Sequence, residues 1–408
     1  MPRILLTVFV ITICIAAAGA TAAQSTRPRR VRPAPSPTPD SLLGPEPKPA
    51  PVANRNAPLL DVKPTKPVGD APVSSDTTHA YQLFQQKQYA DAAKEARQIA
   101  KADPTNAEAW KLAGFSEFYL KQYADAADDL QKALDLQRSA KQEDSHTVDA
   151  LAESYVLAEQ FDRALPLLLA ITTRAGAAPD ALFLYYRGLA EFKTGKAADA
   201  EKSFNAAVKA NPKNTASLFY LGRMAFERKD FDAAIAWLNR ATTSDARLAD
   251  AWSLLTYAYL NRTAGATGPK ADADNLAAIR AGETLNRLRP DENSATLLAQ
   301  ALIRAQQFVR AAAVLEPAAA KPEAKGPTLY LLGLAQTQAK NYAKAITALE
   351  RAAQLTPQDV NIYRMLGYNY EVSKQYAKAL SAYEKGLQIA PNDADLKESA
   401  DRIRPFAK

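Results

Sequence analysis

The sequence predicts an all-α chain: a solenoid of about nine helix-turn-helix repeats closed by a C-terminal helix and preceded by a disordered Pro-rich linker. Three observations predict it. A short motif returns at close to thirty-four-residue intervals from about residue 73 onward, and periods of 20 to 50 residues mark solenoids. Within each unit the apolar residues fall at i, i+3, i+4 and i+7 in two stretches separated by a short polar turn, as in a helical hairpin. The composition, 47% apolar and 23% charged over 408 residues, is that of a globular protein able to fill a core.

The N-terminal residues stand apart from the array. Met1, Pro2 and Arg3 precede an apolar run, Ile4 to Ile15, and Ala20-Thr21-Ala22 follows as a small-residue cleavage site. Residues 1–23 therefore resemble a secretory signal peptide. The competing reading is an uncleaved anchor, because residues 4–23 carry no charge and are long enough to cross a bilayer. Ile13 before Cys14 speaks against a lipoprotein signal. Residues 24–77 hold thirteen of the 26 prolines. Proline fixes φ and removes amide donors, so this stretch is expected to be a solvated, semi-rigid spacer without a hydrogen-bonded core. Arg27, Arg29, Arg30 and Arg32 at its start offer a contact to a membrane or cell-wall polymer.

The repeats occupy residues 78–393. In the clearest pair, Gly222 and Gly367 are each followed nine residues later by an aromatic, Phe231 and Tyr376, and three residues further on by Ala234 and Ala379. On that frame the small residue recurs as Ala80, Gly114, Ala152, Gly188, Gly222, Ala299, Gly333 and Gly367, with Thr256 departing. The turn aromatic recurs as Tyr89, Tyr123, Phe161, Phe231, Phe308, Tyr342 and Tyr376. Prolines at 104, 212, 290, 357 and 391 follow the second helices. Small residues let two helix axes approach, and the aromatic fills the gap between neighbouring hairpins. One hairpin alone cannot bury its apolar stripe, so stacking has to supply the core.

These residues resemble the tetratricopeptide repeat, a likeness that covers residues 73–393 and implies a right-handed superhelix whose first helices line a concave, ligand-binding wall. Two departures interrupt the register. Lys141 to Asp144 lengthens the loop after the second repeat, and Thr263 to Ala273 inserts a Gly- and Pro-bearing loop inside the sixth, where Asn275 replaces the turn aromatic. Residues 394–408 are expected to supply a capping helix with a polar outer side.

Catalytic chemistry finds little support in the sequence. Cys14 is the single cysteine, and His79 and His146 are the two histidines, so thiol, metal and general-base readings are all poor. Ser145, His146 and Asp149 are crowded at one helix start, where a triad cannot converge, and Asp144 or Ser145 reads as a helix N-cap. Gly265 to Lys270 lacks the glycine spacing and the hydroxyl of a phosphate loop. No enzyme activity, cofactor or metal is predicted. Residues 78–408 contain 42 basic and 39 acidic side chains, too even a balance to suggest nucleic acid.

What remains is binding. The frame positions three before and one after the small residue are expected to face the concave wall. They include Phe115, Tyr185, Phe219, Arg223, Tyr257, Tyr330, Arg364 and Tyr368, a set rich in the aromatics and arginines of interface hot spots. The likeness to chaperone-binding arrays does not extend to their Lys and Asn carboxylate clamp, because Lys111 is paired with Phe115. The expected function is an exported scaffold, periplasmic or extracellular, that holds a partner protein or peptide in that groove during cell-envelope assembly or secretion. The alternative is a glycan or cell-wall binder that uses the same rings.

Overall fold

The structure is a computed structural model that describes residues 76–174 and 178–407. The signal-peptide reading and nearly all of the proline-rich spacer lie outside the described residues. Among the described residues nine helical hairpins follow one another: α1 (Thr78–Gln85) with α2 (Tyr89–Ala102), α3 (Ala107–Tyr119) with α4 (Tyr123–Ser139), and α5 (Ser145–Leu157) with α6 (Phe161–Thr172). Next come α7 (Ala181–Lys193) with α8 (Ala197–Ala210), α9 (Thr215–Glu227) with α10 (Phe231–Ser244), and α11 (Ala249–Arg262) with α12 (Pro269–Leu288). The last three are α13 (Glu292–Arg304) with α14 (Phe308–Ala319), α15 (Gly326–Gln338) with α16 (Tyr342–Leu355), and α17 (Val360–Val372) with α18 (Tyr376–Ile389). A final helix, α19 (Ala394–Ile403), and a 3-10 turn at Arg404–Phe406 close the array.

One chain reversal ends eight of the nine first helices. Each first helix, α11 excepted, ends on a residue in the left-handed region: Lys87, Lys121, Glu159, Gly195, Lys229, Gln306, Lys340 or Lys374, with φ between 58° and 78°. In the first repeat the Lys87 amide donates to the Phe84 carbonyl and the Gln88 amide to the Leu83 carbonyl, and the pair of bonds recurs in the other seven. This double bond satisfies the orphan carbonyls of a helix end and turns the chain back on itself. Asp or Asn caps open α3, α5, α7, α9, α13, α17 and α19, each accepting a backbone amide. Trp110 and Trp252, at the same frame position, donate their indole N–H to the carbonyls of Pro104 and Ala246, six residues back.

Within a hairpin, the small residue faces a large one sixteen positions later. A Cβ at Gly114 would lie 2.6 Å from Leu130 Cγ, at Gly188 2.7 Å from Phe204 Cδ1, and at Gly333 2.5 Å from Leu349 Cγ. At Gly367 it would overlap the edge of the Tyr383 ring. In the sixth repeat the volumes exchange places, Thr256 standing at the small position and Gly282 at the large one. The inserted loop there is shorter than expected, because helix α12 already begins at Pro269. Proline suits a first helical position, where its missing N–H has no intrahelical partner to lose.

Between hairpins a second pair of frame positions forms a polar link. In five repeats the residue three after the small one reaches the second helix of the preceding repeat. Glu117 lies 2.7 Å from Arg97, Tyr155 donates to Gln131 over 2.8 Å, and Asn239 donates to Tyr259 over 3.3 Å. Gln336 donates to Glu316 over 3.0 Å, and Tyr370 donates to Glu350. The partners Arg97, Gln131, Asn239, Glu316 and Glu350 are each seventeen residues after their own repeat's small residue. Polar links of this kind, most of them part-buried, penalise a slip of one repeat against the next, since a slip would leave them unpaired. Among the described residues, no helix is long and apolar enough to cross a membrane.

Candidate functional site

The first helices of consecutive repeats approach one another more closely than the second helices do, so α1, α3, α5, α7, α9, α11, α13, α15 and α17 form the inner wall. The eight side chains expected to line that wall are not equally accessible. Phe115, Phe219, Arg223, Tyr185 and Tyr330 are buried, and Tyr257, Arg364 and Tyr368 are half-buried. The expected row of exposed side chains is thus corrected at five positions, four rings and Arg223, which the packing of the helices encloses.

The contacts of Tyr185, Phe219 and Arg223 show what encloses them. Tyr185 is boxed in by Tyr186, Phe204 and Tyr220, with ring centroids 5.5, 6.2 and 6.4 Å away. Burial drives its phenol well above the ordinary range and raises that of Tyr220 to about 12. Phe219 packs edge-on against Tyr220. The Arg223 guanidinium sits over the Phe192 ring at 5.3 Å, and its Nε donates to Glu227 over 2.8 Å. The Tyr330 hydroxyl is enclosed with no hydrogen-bond partner among the described residues, and burial raises its pKa. Arg364 donates to Asn361 and Asp393 and so ties α17 to the cap of α19. Burial also raises the phenols of Tyr257 and Tyr368.

The inner wall also holds paired charges that the aromatic reading passed over. Lys111, buried, is 3.2 Å from both Glu108 and Asp144. The Tyr186 hydroxyl donates to buried Glu153 over 3.0 Å. Glu191, also buried, accepts from Ser203 over 2.6 Å and from Arg187 over 2.8 Å. Such groups hold each other and leave little free valence for a ligand.

The most perturbed of these clusters lies in the seam between the first two repeats. Arg97 Nε stands 2.7 Å from Glu117 Oε1 and 2.7 Å from Asp129 Oδ2. Its single N–H is directed at Asp129, so Glu117 receives charge but no hydrogen bond. Burial raises the Glu117 carboxyl to about 8, with the Asp129 charge adding and the Arg97 charge opposing. The sequence signal for this site is weak. Glu117, Glu191 and Gln336 share one frame position, yet that position shows only in alignment with its partners on the second helices.

Asp144 is the cap of α5, accepting from the His146 amide, and its carboxyl is held low by Lys111 and the cap bonds against the effect of burial. Among the described residues there is no group of three His, Cys, Asp or Glu side chains placed to hold a metal ion.

Models of the tetratricopeptide repeat match residues 77–142, 150–214, 187–249 and 360–393, and the model of anaphase-promoting complex, cyclosome, subunit 3 matches residues 273–352. No curated protein matches the chain. Among solved structures it is similar to YrrB, described as a TPR protein with an unusual peptide-binding site: 17% identity, 50% of this chain and 99% of that one, TM-score 0.43. It is also similar to PilW, a type IV pilus biogenesis factor: 18% identity, 56% and 100% coverage, TM-score 0.41. A third is MamA from Desulfovibrio magneticus RS-1: 20% identity, 44% and 98% coverage, TM-score 0.39. With the paired helices, the recurring turn and the small-to-large seam in place, the helical array of this chain is a solenoid of tetratricopeptide repeats.

Proposed function

We propose that the chain is a non-catalytic scaffold that holds an extended segment of a partner protein along the wall formed by its first helices, in cell-envelope assembly or secretion. The observation that carries this reading is the continuity of that wall over nine stacked hairpins, with Tyr257, Arg364 and Tyr368 still accessible on it. Tyrosine and arginine at a partly desolvated surface are typical binding anchors. The enclosed Phe115, Tyr185, Phe219, Arg223 and Tyr330 act behind them, setting the shape of the wall. Export through residues 1–23 belongs to the same proposal, and the mass of the mature N-terminus tests it.

The experiment is affinity capture by the full chain against the variant Tyr257→Ala, Arg364→Ala, Tyr368→Ala, with circular dichroism confirming equal helix content. A partner held by the parent and lost by the variant supports the groove. Identical capture by both discards it, and saccharide binding lost in the variant replaces it with the glycan reading.

A further inference from the structure

The turns that join first to second helices lie along one edge of the array, because every hairpin runs in the same direction. Their charge changes abruptly along that edge. In repeats one to five the seven-residue stretches beginning at 85, 119, 157, 193 and 227 contain seven basic and eight acidic residues. In repeats seven to nine the matching stretches, 304–310, 338–344 and 372–378, contain six basic residues and no acidic one. The sixth repeat, with its insertion, stands between the two regimes.

Local stability does not account for the switch. The first turns of α2, α4, α6, α8 and α10 each carry an aspartate: Asp91, Asp125, Asp162, Asp199 and Asp232. A negative charge is favoured there by the helix dipole. The first turns of α14, α16 and α18 carry none. Arg310, Lys344 and Lys378 stand where Asp91, Asp125 and Asp199 stand in the first, second and fourth repeats. Three cations therefore sit against the dipole, and Lys340 and Lys374 add two more at left-handed positions that glycine would occupy with less strain.

Internal pairing absorbs only part of this charge. Arg310 is 2.6 Å from Glu283 and Lys344 is 3.2 Å from Glu316, both exposed pairs of the kind that contribute little. Lys340, Lys374 and Lys378 are exposed with no carboxylate at ion-pair distance among the described residues. Arg304 turns aside, donating to the Leu260 carbonyl. Apolar side chains stand among the cations. Val309 is 71% exposed beside Arg310, Val372 37% beside Lys374, and Phe406, 64% exposed, lies 5.7 Å from the Tyr376 ring at the start of α18.

We infer that the turn edge of repeats seven to nine is a docking surface for an anionic lipid bilayer. This goes beyond the groove reading and does not depend on it. The charges recur at the same turn of three successive hairpins and so spread along the edge rather than converge on one point, which suits an extended surface. Most are lysines, point charges without the fork that recognises single carboxylates or phosphates. Basic residues near an anionic leaflet each add attraction, and exposed apolar tips among them reach the headgroup boundary.

The test uses the full chain with an environment-sensitive fluorophore on Val309→Cys in a Cys14→Ser background, which reports the edge itself whatever residues 1–75 do. Vesicles containing phosphatidylglycerol should shift the fluorophore to the blue, and phosphatidylcholine vesicles should not. Arg310→Asp, Lys344→Asp, Lys378→Asp together install the residue type that earlier repeats use, so the fold should persist, and binding should fall roughly a hundredfold. The control triple Lys87→Asp, Lys121→Asp, Lys229→Asp removes the same charge from the other end and should change binding by no more than about threefold. No shift with phosphatidylglycerol overturns the inference, as does an equal loss in both triples. A shift with polyglutamate and none with vesicles would assign the edge to an acidic protein and overturn the lipid surface.

Discussion

Repeats two to five and repeats seven to nine share a backbone but place their charge differently. The former bury Lys111, Glu117, Asp129, Glu153, Glu191 and Arg223, while the latter bury only neutral polar groups such as Ser294, Thr328, Gln336, Thr337 and Asn369. The turn edge shows the reverse, near balance in the first five repeats and all positive in the last three. Because a repeat touches only its neighbours, each stretch of a solenoid can be tuned separately without disturbing the fold. The N-terminal repeats should therefore respond to pH through their interior, and the C-terminal ones to salt through their edge.

The largest effect expected on this comparison comes from the aromatic interior of the fourth and fifth repeats. Phe204 is fully buried, stacked on Tyr220 at 5.2 Å and facing Gly188. Phe204→Ala should cost about 3–5 kcal/mol in denaturant unfolding. Tyr368→Ala, at a half-buried ring in the ninth repeat, should cost about 1 kcal/mol. Equal losses would mean that the wall position of Tyr368 is as structural as the core.

Next in size is the small-to-large seam, which both regions share. Adding a methyl at Gly188 or at Gly367 drives it into Phe204 or Tyr383, and overpacking of this kind costs about 1–3 kcal/mol. Both Gly188→Ala and Gly367→Ala should lower the melting temperature. A loss at one alone would show that the two regions differ in rigidity as well as in charge.

Much of this seam was legible in the sequence, and particular residues show where legibility ended. Glycine sixteen before a Leu, Phe or Tyr, an aromatic nine after it and a proline closing the unit are local signals, so the hairpins and the cap α19 follow from them. The accessibility of Phe115, Tyr185, Phe219, Arg223 and Tyr330 is not a local property. The frame gives the side of the helix they occupy, but the packing of the partner helix and the neighbouring repeats decides whether that side is covered. The cross-repeat links, such as Tyr155 to Gln131, were hidden because Glu, Tyr and Gln all serve at the one position. The charge switch at the turns is written in the sequence, but it acquires meaning only once the turns share an edge.

The pH response should separate the two regions. Glu117 holds its proton up to about pH 8 in the folded chain, whereas an unfolded glutamate releases it near 4.5. Between those values the unfolded state binds fewer protons than the native state, so stability falls as pH rises and levels off above pH 8. The groups around Glu117 are Arg97, Asp125, Asp129 and Lys132. In Glu117→Gln, Arg97 keeps Asp129, and thermal melts should lose the downward slope that Glu117 is expected to give the parent between about pH 5 and 8. Gln336→Ala in the eighth repeat, which breaks the bonds to Glu316 and Asn341, should lower stability by a similar amount at every pH.

The smallest effect bears on why lysine occupies the turns. Lys374 adopts φ 58° at the end of α17 and Lys87 φ 61° at the end of α1, both at the position where glycine is free of strain. Replacing either with glycine should stabilise the chain, by about 0.5–1 kcal/mol. The two gains should match, since the turn geometry is the same. Their consequences for binding should not, because Lys87 is followed by Asp91 and Lys374 by Lys378. If Lys374→Gly gains stability and loses affinity for anionic vesicles while Lys87→Gly gains stability alone, then lysine at 374 is kept for what it touches. If both leave binding unchanged, the turn lysines are incidental and the charge of the edge rests on Arg310, Lys344 and Lys378.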